Sequence, residues 1–176
     1  MIQDWREEIA IAWHIKNETA KLDTEGLWEY PLPRIAATEQ QLAEAEASIG
    51  HKLDPRYRQF LSFANGWKSF YQDVRLFDTD ELSDSALIEG EDLSLRESVP
   101  EGRKMKNANA NDLLPIAMST TDRDLFVIGR PGSPVDGQVF WLSGGEIDRF
   151  ASFDDYFLAM VDYNRLEYQN FKSGGK

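Results

Sequence analysis

RIAATEQQLAEAEASIGHKLDPRYRQFLSFANG, residues 34–66, encodes two short helices joined by a tight connection and closed by an Asn-Gly stop. Thr38 is placed as an N-cap, with Gln41 three residues on, the spacing of a capping box. Leu42, Ala45 and Ile49 then share one helical face, and Gly50 follows where a left-handed residue ends a helix. Asp54 caps the second helix, and Pro55 takes its first position, where a missing N–H costs nothing. Tyr57, Phe60, Leu61 and Ala64 form its apolar face before Asn65-Gly66 stops it.

The helices on either side follow the same rules. Ile2, Trp5, Ile9, Ala12, Trp13 and Ala20 recur at near-helical spacing and predict an amphipathic helix over residues 2–20. Residues 22–33 form a connector, with Leu27, Trp28 and Tyr30 expected against the core. At the other end, Ser152 caps a last helix that buries Phe153, Phe157, Met160, Val161 and Tyr168.

Between them the chain is β-rich. Strands are expected at residues 74–77, 113–118, 125–128, 139–142 and 146–150. Pro115 marks an edge or a bulge, and Gly144-Gly145 suits a tight hairpin turn. Adjacent Phe140 and Trp141 point to opposite sheet faces. A short helix is expected to begin near Thr79 or Asp80. The order argues for an α+β fold: a largely antiparallel sheet in the second half, packed by N-terminal helices and a C-terminal helix. Residues 1–172 read as one domain and 173–176 as a frayed tail.

Composition narrows the function. The 176 residues include five Trp and ten Phe, enough for a real core, and no apolar run near the roughly 20 residues of a membrane span. The N-terminus is charged throughout and lacks the basic-then-apolar order of a signal peptide. With no Cys there is no disulfide framework or thiolate metal site. A cytoplasmic protein is the simplest expectation. The net charge is −12, which disfavours bulk nucleic-acid binding. Residues 78–101 hold nine acids (Asp78, Asp80, Glu81, Asp84, Glu89, Glu91, Asp92, Glu97, Glu101) against Arg96 alone, a local charge of −8. That stretch is either a solvated loop or an electrostatic landing surface for a basic partner.

Catalytic motifs are missing. There is no G-x-S-x-G elbow, no phosphate-binding glycine loop, and only two histidines, His14 and His51. A glycosidase needs two acids about 5 to 10 Å apart across a cleft, and nothing in the sequence singles out such a pair. Asp78, Asp80, Asp84 and Glu89 fit four ligand positions of a calcium loop, but Leu82 and Ser83 stand where an oxygen ligand and the turn glycine belong. No metal, cofactor or catalytic residue is assigned. Trp67, Phe70 and Tyr71 follow Asn65-Gly66 in an expected loop, either folded over the core or exposed as a partner anchor.

The ordered set of an acidic helix, Ile49-Gly50, Leu53-x-Pro55-x-Tyr57-Arg58-x-Phe60-Leu61 and Asn65-Gly66 resembles the SUKH superfamily of Smi/Knr-type fungal cell-wall regulators and bacterial toxin-immunity proteins. The resemblance implies an α+β fold of this kind and a non-enzymatic, protein-binding role. The first reading is an immunity protein that occludes the active site or substrate groove of a cognate toxin, a basic nuclease domain. The alternative is a regulatory or scaffold domain for a signalling or cell-wall-assembly partner. The partner-binding candidates are Trp67, Phe70, Tyr71, Asp78, Asp80, Glu81, Asp84, Glu89, Glu91, Asp92 and Glu97.

Overall fold

The structure, a computed structural model, describes residues 1–84, 87 and 108–174. Its helices start where the sequence supplies caps. Asp4 caps α1 (Trp5–Ala20) and Thr38 caps α2 (Glu39–Ile49) through a complete capping box. Asp54 accepts from the Arg56 and Tyr57 amides at the head of α3 (Pro55–Leu61). Gly50 ends α2 at φ 75°, a left-handed conformation that a β-carbon disfavours. Each of the Asp4, Thr38 and Asp54 N-caps is worth about 1 kcal/mol.

Strands β1 (Trp67–Tyr71) and β2 (Val74–Leu76) form the first hairpin, followed by α4 (Thr79–Ser83). After a 3₁₀ turn at Ala110–Asp112 come β3 (Leu113–Met118), β4 (Leu125–Gly129), β5 (Val139–Leu142) and β6 (Glu146–Phe150), then α5 (Phe153–Lys172). The six strands make one antiparallel meander in sequence order. The fold is therefore α+β, with the sheet mainly in the second half. Pro115 sits in an inner strand rather than at an edge, and the register shifts between it and Ala117. That bulge accommodates the missing donor.

Helix α5 crosses the sheet from β1 to β6, and α1 and α3 pack against it. Their shared core is aromatic: the Trp5 ring centroid lies 5.5 Å from Phe60 and 5.2 Å from Phe157, both edge-on. Each such fully buried ring contributes about 1.5–3 kcal/mol by removal from water. Strand β4 is buried on both faces. Phe126 and Ile128 enter this core, while Leu125 and Val127 join Phe140 and Leu142 in a second cluster across the sheet. Phe140 and Trp141 thus divide between the faces as their adjacency requires, Trp141 resting half-buried on the main core.

Three expectations about burial need correction. Leu27 is 55% exposed, while Trp28 and Tyr30 are half-buried. Tyr168 is half-buried too, with the Lys172 ammonium over its ring. On α1 the buried positions are Trp5, Ala12, Lys16 and Thr19, so the packed stripe includes a lysine. Among the described residues no helix is long and apolar enough to cross a membrane.

Candidate interaction surface

Helix α3 ends at Leu61 with Ser62 as its C-cap, so Asn65-Gly66 lies past the helix rather than stopping it at Ala64. The Asn65 carboxamide grips Thr79 at both ends: Nδ2 donates to Thr79 Oγ1 and the Thr79 amide donates to Oδ1, each at 2.9 Å. Gly66 has φ 78°, and a β-carbon there would sit 2.8 Å from the backbone nitrogen of Asp78. The end of α3 is thereby locked to the start of α4. Asp78 completes the lock, with Oδ1 accepting from the Asp80 and Glu81 amides and Oδ2 paired with the Arg34 guanidinium. Glu81 reaches back to the Asp78 amide at 3.0 Å, a capping box.

The acids of α4 therefore play different parts. Asp78 is buried and holds the helix. Glu81 is half-buried; burial raises its carboxyl above the usual range, against the opposing pull of Arg75 and Arg34. Its nearest cation is Arg75, with Nε 3.2 Å from Oε1. Asp80 and Asp84 are exposed. Glu89, Glu91, Asp92 and Glu97 lie outside the described residues.

Residues 67–71 are strand β1 rather than a loop. Trp67 and Phe70 are fully buried, their centroids 5.4 Å apart, and Phe70 lies 5.1 Å from Phe157. Neither ring is exposed as an anchor in this conformation. Tyr71 is half-buried against Tyr163, 5.6 Å between centroids. The Asn-Gly turn gave a loop signal, but the Trp67 indole donates to the Pro31 carbonyl at 3.0 Å and fixes the strand under the connector.

A groove of about 390 Å³ opens beside that contact. Three of the candidates line it together, Trp67, Asp78 and Glu81, joined by Leu32, Arg34 and Arg75. Phe70, Tyr71, Asp80 and Asp84 are not among its lining residues. Arg34 and Arg75 escaped the sequence reading, because isolated basic residues carry no spacing signal; their carboxylate partners are distant in sequence or out of frame. Asp73, on the same wall, also escaped it. Burial opposes its ionisation, yet hydrogen bonds from Ser119, Thr121 and Thr120 outweigh that and hold it at about 2. Asp73 ties the β1–β2 turn to the β3–β4 turn through Oδ2, which accepts from Ser119, Thr120 and Thr121.

A second cleft, about 580 Å³, lies between residues 22–28 and the end of α5. Asp23 organises its rim, accepting from the Leu27 and Trp28 amides and the Tyr30 hydroxyl. Nearby, Lys16 is buried over the Tyr30 ring, and desolvation brings its ammonium down to about 8 despite Glu167. Burial also raises Glu167, which accepts from Gln72 at 3.2 Å. Both members of this pair shift toward neutrality, so desolvation exceeds their attraction. Among the described residues no group of three or more His, Cys, Asp or Glu could hold a metal ion.

Residues 36–159, more than half of the chain, match the family model for SMI1 / KNR4 (SUKH-1). The chain belongs to that family. No curated protein gives a significant match. The matched stretch of this SMI1/KNR4 domain begins after α1 and ends within α5, so it contains the whole sheet and the Asn65–Thr79 lock. SMI1/KNR4 membership supports a protein-interaction or immunity-type module, and SUKH domains are generally non-catalytic.

Proposed function

We propose that this SMI1/KNR4-family protein is a non-enzymatic binding module that neutralises a cognate toxin, a nuclease domain, by covering its active site or substrate groove. The observation that carries the reading is the anchoring of α4. This helix opens the acidic stretch of residues 78–101, and contacts from Asn65 and Arg34 anchor its N-terminal end while Asp80 and Asp84 remain exposed. A nuclease presents cations to phosphate, and a fixed acidic surface attracts those cations and speeds encounter. A preorganised helix also loses little conformational freedom on binding.

Affinity capture from a lysate of the source cell tests this. Recovery of a basic toxin domain, with growth restored when both chains are co-expressed, is the expected result. Recovery of a signalling or cell-wall-assembly protein without rescue of growth would replace the immunity reading with the regulatory one. Hydrolytic turnover abolished by a single substitution in the purified chain would overturn both.

A further inference from the structure

The exposed residues of α1 and the connector form a surface that the acidic reading leaves unused. Ile9 and Trp13 of α1 face Leu32, Pro33 and Phe63 across a notch of about 280 Å³. Leu32 is 65% exposed, and Ile35, three residues on, is 92% exposed. Apolar side chains gathered this way mark contact surfaces more often than scattered ones do. The notch falls just below the roughly 300 Å³ at which small-molecule pockets begin, and suits side chains of a protein partner. Arg6 stands at its rim, with the guanidinium 5.4 Å from the Phe63 ring centroid.

Arg6 sets the chemistry of the occupant. Nine of the fourteen described Lys and Arg side chains pair with carboxylates, and Arg6 is one of the five that do not. Arg6 forms no such pair among the described residues, although the chain carries 31 acids. Among the described residues it is the one charged residue lining the notch. A two-fold contact between copies would bring Arg6 toward Arg6 and join two chains of −12 each, so like charge opposes self-association.

We propose that this notch docks an amphipathic helical segment of a second protein, with apolar anchors one turn apart and a carboxylate that reaches Arg6. Such helix-in-groove contacts read anchors at i, i+3 or i+4, and i+7. The surface is built largely by α1, outside the family-matched stretch, and its charge preference is opposite to that of the α4 face. It stands whether or not α4 meets a toxin.

Random peptides of about twelve residues, three helical turns, displayed against the full chain provide the test. Clones are then counter-selected on Leu32→Glu, and the enriched peptides are synthesised and titrated by fluorescence anisotropy. The expected peptides carry apolar pairs at i, i+3 or i+4 with Asp or Glu beside them. Their affinity should fall at least about tenfold with Leu32→Glu, fall similarly with Arg6→Glu, and weaken with salt. Arg6→Glu keeps the test valid if Leu32→Glu fails to fold. Enrichment of basic peptides, no enrichment, indifference to Arg6→Glu, or a Leu32-dependent dimer in sedimentation would each overturn the proposal.

Discussion

Asn65 and Thr79 hold each other through two hydrogen bonds of 2.9 Å, in a buried position that joins the end of one helix to the start of another. Asn-Gly after an apolar helix reads locally as a stop. Its three-dimensional role is to position the start of α4. Local turn chemistry and long-range placement are served by the same two residues.

Asn65→Ala removes both bonds without adding bulk to the buried site. It leaves the buried Thr79 amide and hydroxyl unpaired, a loss of about 1–3 kcal/mol. Gly66→Ala adds a left-handed alanine and a β-carbon 2.8 Å from Asp78, so it should destabilise at least as much. Urea midpoints measure both. Because α4 packs on α2, a midpoint unchanged by either variant would mean that the lock contributes nothing to stability.

Gly129 is constrained by space alone. A β-carbon there would meet the Val135 carbonyl oxygen at 1.8 Å, backbone against backbone. Gly129→Ala must therefore displace the loop that returns residues 133–137 to the strand end, where the Gly137 amide donates to Gly129 O at 3.1 Å. A loss of about 3 kcal/mol, the upper end for overpacking, is expected in thermal unfolding. Gly132→Ala, which would meet nothing within 4 Å but has φ 80°, should cost only about 1–2 kcal/mol. Equal losses for the two would show that conformation, and not the close approach, governs Gly129.

Much of the fold was legible because caps, periodicity and turn glycines are local signals. Thr38, Asp54, Ser152, Gly50 and the alternation of Phe140 and Trp141 all read correctly from neighbours within a few residues. The site was harder to read. Trp67 and Phe70 follow a loop signal, and their burial depends on Pro31 and Phe157, distant in sequence. Lys16 lies in an apolar stripe where its long stem can pack, and sequence periodicity has no way to show that its ammonium ends over Tyr30. The roles of Asp78 and Asp80 differ through Arg34 and burial, which two neighbouring aspartates cannot reveal.

Lys16 gives the chain a pH response on the alkaline side. Its folded pKa is about 8 against an ordinary 10.5, so the unfolded chain binds more protons between those values. Stability should rise as pH climbs from about 8 to 10.5, and the penalty is fully present below 8. The shift corresponds to at most about 3 kcal/mol. Lys16→Met removes the charge and keeps most of the stem. It should raise stability near pH 7 and flatten the alkaline rise in urea titrations. If the two proteins show parallel pH curves, Lys16 is better hydrated than its burial implies.

Asp80 and the C-cap residue Asp84 are the exposed acids at α4 that test the steering role, although Asp80 pairs with Arg34 and Asp84 accepts from the Leu87 amide. Reversing Asp78 would remove the cap and strand Arg34, and reversing Glu81 would oppose Arg75, so either change confounds folding with charge. Asp80 is 3.8 Å from Arg34 but largely exposed, a pair worth about 0–1 kcal/mol. Asp80→Lys with Asp84→Lys, and separately Glu89→Lys with Glu91→Lys and Asp92→Lys, should each slow association with a captured basic partner by about tenfold or more at low salt. Raising ionic strength should shrink the difference from wild type, since screening acts on the encounter and less on the docked contact. Dissociation should change far less than association. Stopped-flow rates at several salt concentrations, with unfolding midpoints checked in parallel, give the answer. An unchanged association rate in folded variants would mean that these acids only keep the surface solvated, and that the partner is chosen by contacts elsewhere.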